Sequence, residues 1–151
     1  MRLTEDPDIV VRPDMHYVFV ERTGPFLTSA PQAWQEAHRL TPEIAKHNTI
    51  TGYLSQYQVE PPVYRAGVSV AEAPKELPEG LRHERVEGGK YARFVLMGPY
   101  SQLPEASCRV FGIVAEKKIP VRAGFNIENY VNDPRVTPED EVMTEILFPT
   151  E

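Results

Sequence analysis

His16-Tyr-Val-Phe-Val-Glu-Arg-Thr-Gly-Pro-Phe26 lies over Lys90-Tyr-Ala-Arg-Phe-Val-Leu-Met-Gly-Pro-Tyr100 without a gap, at an offset of 74 residues. Further along, Gly52-Tyr-Leu-Ser-Gln-Tyr-Gln-Val-Glu-Pro-Pro62 lies over Gly124-Phe-Asn-Ile-Glu-Asn-Tyr-Val-Asn-Asp-Pro134, at an offset of 72. Order and spacing are both kept. Self-similarity of this kind marks a duplicated structural unit, and such units bury their apolar faces together. Function is then to be sought where the copies differ.

Each copy begins with strands. Ile9 to Arg12 and Tyr17 to Val20 are short β-branched or aromatic runs separated by Pro13-Asp14, which has turn chemistry, so a hairpin is expected. In the second copy Leu81 to Val86 and Tyr91 to Met97 flank Gly88-Gly89, and adjacent glycines suit a second hairpin. After each Gly-Pro step the pattern turns helical. Ser29 with Gln32 has the form of a capping box, Pro31 suits a first turn, and Ala30, Ala33, Trp34, Ala37 and His38 share one face. Thr41-Pro42 should stop or kink that helix, because proline lacks the amide proton. The second helix is expected from about Pro104 to Lys117, with Ala106, Val110, Phe111 and Val114 as its buried stripe. Strands follow at Ile50 to Val59, Tyr64 to Ala71, Val121 to Val131 and Val142 to Phe148.

The order predicts an α+β fold in a single domain over residues 1–151. It is a duplicated ββαββ unit with pseudo-twofold symmetry, built as two antiparallel sheets or one continuous sheet. The first repeat covers about 9–72, a proline-rich joint 72–80, and the second repeat about 81–149. One helix per half and a central ligand cleft complete the expectation, since small ligands settle where units meet.

Composition narrows the function. A net charge of −6 opposes direct binding to nucleic acid, which needs a concentrated basic surface. No apolar run approaches the ~20 residues that span a bilayer, and the first residues lack a signal pattern, so no membrane role and a cytoplasmic setting are expected. Cys108 is the one cysteine, which excludes an internal disulfide. His16, His38, His47 and His83 show no paired metal spacing, so neither a metal nor a cofactor is expected. Ser69 lacks the surroundings of a nucleophile elbow, and Gly88-Gly89 lacks the sequel of a phosphate loop. Thr137-Pro138 ahead of Glu139-Asp-Glu141 looks like a capped helical turn.

In this alignment Gln56 corresponds to Glu128, and Gln58 to Tyr130. Strand alternation puts Asn126, Glu128 and Tyr130 on one face, and Ile127, Asn129 and Val131 on the other. Ile127 and Val131 suit packing against the helix, which directs Glu128 and Tyr130 towards the cleft. On pattern alone a hydrated strand face is the preferred account of both residues.

Gly89-Lys-Tyr-Ala-Arg-Phe94, Gly98-Pro-Tyr100, Ile127-Glu-Asn-Tyr-Val-Asn-Asp-Pro134 and Met143-Thr-Glu-Ile-Leu-Phe-Pro149 resemble the GyrI-like small-molecule-binding domain. That domain is shared with AraC-type and MerR-type multidrug regulators, and the likeness runs from about Ile9 onward. The resemblance implies a cleft for flat, lipophilic, often cationic compounds, with Glu128 in the place of the family's signature glutamate. Tyr130 shares its strand face. Tyr91, Tyr57, Tyr53 and Trp34 are subsidiary ligand-binding candidates, with Phe26 and Tyr100 at the mouth. Trp34 falls where the other copy has Cys108.

The first functional expectation is a stand-alone binder of lipophilic cations or electrophiles, serving sensing, sequestration or detoxification. The second is a hydrolase of cyclopropane-type genotoxins with Glu128 as catalytic acid or base. The third, also implied by the resemblance, is a modulator of DNA gyrase, and a separate regulator is a further partner under this heading. Exposed strand edges admit a homodimer without specifying one. A related architecture occurs in haem-binding SOUL-type proteins, which an absorption spectrum would reveal.

Overall fold

The computed structural model describes residues 1–151. In chain order its elements are β1 (Arg2–Leu3), β2 (Asp8–Arg12), β3 (Met15–Thr23), α1 (Phe26–His47), β4 (Ile50–Gln58), β5 (Val63–Val70), β6 (Arg82–Val86), β7 (Gly89–Met97), α2 (Leu103–Glu116), β8 (Asn126–Tyr130) and β9 (Met143–Pro149). Strand pairing is antiparallel throughout both units, and the architecture is α+β. The chain divides into two units, one formed by Pro13–Gly88 and the other by Met1–Arg12 with Gly89–Glu151.

Neither expected hairpin forms. β2 pairs with β7, from Asp8 opposite Arg93 to Arg12 opposite Gly89. β6 pairs with β3, from Met15 opposite Val86 to Phe19 opposite Arg82. Each opening strand thus lies beside the second strand of the other copy. The physical reason begins at Pro13, whose ring fixes φ near −65° and so bars it from the tight turns that need positive φ at their first central residue. At the other junction only Gly89 takes a positive φ, of 149°. Asp14 holds the crossing: its carboxylate accepts a 2.7 Å hydrogen bond from the Gly88 amide and pairs with Arg85.

In the Pro13–Gly88 unit the strand order is β4-β5-β3-β6. Val18, Val20, Ala66 and Val68 pack against Ala33, Ala37, Leu40 and Ile44 of α1. That helix begins three residues before Ser29, whose hydroxyl bonds back to the Gly24 carbonyl at 3.3 Å instead of capping. It also continues through Pro42 to His47. Proline inside a helix costs roughly 3 kcal/mol, but the turn beyond it buries Ile44, worth about 1.5–3 kcal/mol. Tertiary packing therefore carries the helix past its breaker. Pro42→Ala should raise stability by about 1–2 kcal/mol, less than the helix penalty because proline also restrains the unfolded chain; a higher urea midpoint is the expected reading, and a lower one would refute the account.

In the other unit the order is β1-β7-β9-β8, with β2 on the same ladder of β7. Ala92, Phe94, Leu96, Ile146 and Phe148 pack against Ala106, Val110, Ile113 and Val114 of α2. Phe111, expected in the buried stripe, is 38% exposed and leans edge-on against Phe148 at 4.8 Å. Val121 contributes one bridge to Thr150 and lies outside β8. Glu139–Glu141 form a single 3-10 turn with no side-chain cap. No helix is long and apolar enough to cross a membrane.

On the sheet face opposite α2, Glu145 is hydrogen-bonded by Arg93 and, at 2.7 Å, by Asn129. Burial pushes its carboxyl up, but those bonds and the charges of Arg93 and Arg12 together hold it below the ordinary value. The sign follows. A depressed folded value stabilises above the unfolded pKa of about 4.3 and is lost as pH falls through the lower one. Glu145→Gln should lower the urea midpoint at neutral pH and flatten its fall in acid; an unchanged acid limb would exclude this pairing as a source of stability.

Candidate functional site

Sheet register decides which residues of the two units are equivalent. Phe19 lies opposite Gly67, which lies opposite Leu54. Arg93, the counterpart of Phe19, lies opposite Leu147, which lies opposite Ile127. Leu54 therefore corresponds to Ile127, Ser55 to Glu128 and Tyr57 to Tyr130. The helices agree, because buried Ala33, Ala37 and Leu40 of α1 match buried Ala106, Val110 and Ile113 of α2. Trp34 thus corresponds to Ser107. These assignments replace the sequence pairings of Glu128 with Gln56, Tyr130 with Gln58 and Trp34 with Cys108.

Glu128 lies opposite Ile146, and Tyr130 opposite Thr144. Ile146 belongs to the cluster that packs on α2, so Glu128 and Tyr130 stand on the helix side of the sheet, contrary to the expectation that Ile127 would take it. The expectation failed because both faces are apolar here. Ile127 and Leu147 are each 1% exposed on the opposite face. A buried isoleucine marks burial without saying which side the helix covers.

Glu128 is 8% exposed. The Tyr130 hydroxyl donates to its Oε1 at 3.1 Å, and the Ser107 hydroxyl of α2 donates to Oε2 at 3.4 Å. The Tyr100 ring stands edge-on to Tyr130, with centroids 5.3 Å apart. Burial, and secondarily the charge of Asp133, pushes the Tyr100 phenol above its ordinary value, so it stays protonated at neutral pH. The Thr144 hydroxyl is fully buried and has no hydrogen-bond partner. A buried carboxylate is thus held from two sides beside two aromatic rings. Hydroxyl donors repay only part of the cost of desolvating a carboxylate.

The other unit builds an uncharged version from equivalent positions. Phe26, counterpart of Tyr100, stands edge-on to Tyr57 at 5.7 Å. The Trp34 indole donates to the Tyr64 hydroxyl at 2.8 Å, and Tyr64 lies opposite Tyr57. Tyr53 lies two pairs further along the same face, opposite Val68, and is 37% exposed. Tyr53 and Tyr57 reach the helix side because they share a strand face with Ser55, the counterpart of Glu128, and not with Gln56, which the 72-residue offset concealed. Tyr91 does not join Glu128. It lies opposite Pro149 on the other sheet face, 4% exposed, with the Arg122 guanidinium 4.8 Å from its ring centroid. Ser107 and Thr144 were missed in the sequence, where small hydroxyl residues carry no signal until register brings them beside a carboxylate.

Residues 5–151 match the family model of the GyrI-like small molecule binding domain. The chain belongs to the GyrI-like family. It is a small-molecule-binding domain over nearly its whole length. No curated protein matches the sequence. Among solved structures the fold is similar to the EcmrR C-terminal domain, with a TM-score of 0.81 at 16% identity, covering 100% of this chain and 99% of that one. It is also similar to SAV2435 bound to tetraphenylphosphonium, with a TM-score of 0.70 at 14% identity, covering 96% and 93%. A hydrolase from Listeria innocua shares the GyrI-like chain's fold at a TM-score of 0.62 and 12% identity, covering 98% and 93%.

Proposed function

We propose that this GyrI-like domain binds lipophilic cations at Glu128 and so senses or sequesters them. The observation that carries the reading is the Glu128 carboxylate, buried between the Tyr130 and Ser107 hydroxyls and bordered by the Tyr100 and Tyr130 rings. A delocalised organic cation meets both halves of such a site. Its charge offsets the desolvated carboxylate, and its apolar groups take cation–π and edge contacts from the rings. The buried Thr144 hydroxyl beside Tyr130 is a further contact for a ligand acceptor atom. The likeness to SAV2435 bound to tetraphenylphosphonium supports the choice of probe.

Calorimetric titration with tetraphenylphosphonium and with neutral triphenylphosphine oxide tests the proposal. The cation should bind at least about 10-fold tighter, the equivalent of ~1.4 kcal/mol. Equal affinities would remove charge recognition from the site.

A further inference from the structure

His16 on β3 and His83 on β6 place Nδ1 and Nε2 3.1 Å apart. They are diagonal neighbours in the ladder, since His16 lies opposite Arg85 and His83 opposite Val18. Their ring centroids are 5.3 Å apart and tilted by 34°. His16 is half-buried and His83 exposed, so solvent reaches the pair. We propose that these two imidazoles form a bidentate site for a divalent transition metal ion of imidazole preference, copper(II) foremost.

Metal–imidazole bonds of about 2.0–2.1 Å from two nitrogens 3.1 Å apart subtend about 100° at the metal, between the right angle of cis ligands in a square plane and the wider tetrahedral angle. Solvent fills the remaining positions. In the metal-free pair one ring donates the proton between the facing nitrogens. When the metal binds, that proton moves to the ring's other nitrogen and both facing lone pairs become ligands, while the metal gives up two waters. No proton has to leave the neutral pair. Burial, and secondarily the proximity of His16, hold the His83 imidazolium below its ordinary pKa, which keeps that lone pair free further into acid. Glu84 beside His83 acts in the opposite sense. Arg85, the cation opposite His16, is neutralised by Asp14.

Such an ion ties β6, which pairs with β3, to the interior of its unit. The two histidines lie 67 positions apart and meet only through the exchanged strand, so no local spacing announces the pair. Among first-row dications copper(II) binds nitrogen ligands tightest, ahead of nickel(II) and zinc(II). Because the folded pair preorganises what the unfolded chain scatters, binding raises thermal stability.

The test is titration of the full chain with copper(II), read by electron paramagnetic resonance, alongside melting curves with nickel(II). One equivalent of copper with superhyperfine structure from two equatorial nitrogens is expected, with a melting temperature that rises with nickel. His16→Asn and His83→Asn should each lower the affinity at least about 10-fold, whereas His38→Asn and His47→Asn should not. His83→Gln serves as a second variant, and circular dichroism without metal checks that each variant is folded. Binding that survives loss of His16 or His83, or that follows His47 with its 3.0 Å partner Glu76, would overturn the assignment, as would no binding at ~100 μM metal.

Discussion

Glu128→Gln is expected to weaken tetraphenylphosphonium binding by about 10- to 100-fold, or ~1.4–2.8 kcal/mol, while leaving the neutral analogue's affinity within about 3-fold. The substitution keeps the shape of the side chain. Its amide oxygen still accepts from Tyr130, so the rings keep their places and only the charge is withdrawn. Folding should not suffer, because the variant no longer has to desolvate a carboxylate that is 8% exposed. A melting temperature equal to or above that of the wild type is therefore part of the expected result. Calorimetry with both ligands separates the outcomes. Unchanged cation affinity would remove Glu128 from the site, and parallel loss for both ligands would mean that shape, not charge, had been disturbed.

Gly67→Ala should cost more than about 4 kcal/mol, which approaches the total stability of a domain this size. A Cβ at Gly67 would lie 2.0 Å from the Val18 carbonyl oxygen and 2.8 Å from the Phe19 Cα, both main-chain atoms of the neighbouring strand. The flanking strand has no side-chain rotamer with which to yield. The equivalent position in the other unit is Leu147, so the repeat itself does not demand glycine; the close approach of β3 does. Gly112→Ala in α2 is the control, since nothing lies within 4 Å of its added Cβ, and there alanine should stabilise by about 1 kcal/mol. Urea unfolding of both variants measures the contrast. A Gly67→Ala protein with wild-type stability would refute the close packing of β3 on β5.

The duplication and the order of elements were legible because both are local. Apolar period and turn chemistry recur in each copy whatever the strands later pair with. Glu128 and Tyr130 were legible as a pair for the same reason, since residues two apart on a strand share a face wherever it lies. Which face was not legible. Ile127 is buried as fully as Ile146, and only the packing of α2 distinguishes the two sides. Nor was the true equivalence of the copies, because the first copy carries one extra residue between Phe26 and Ala33, which makes Ser55 and Tyr57, not Gln56 and Gln58, the residues that match Glu128 and Tyr130.

By itself the sequence determined the α+β class, the twofold repetition and the carboxylate with its tyrosine, all of which follow from spacing along one chain. The tertiary structure alone decided that β2 and β6 exchange partners, that Ser107 and Tyr100 attend Glu128, and that His16 meets His83. Hydrogen bonds between strands are indifferent to side-chain identity, so a local pattern says that a strand exists without naming its neighbour. Contacts across 21 to 85 positions are chosen when competing pairings bury different amounts of apolar surface, a comparison that no single segment contains.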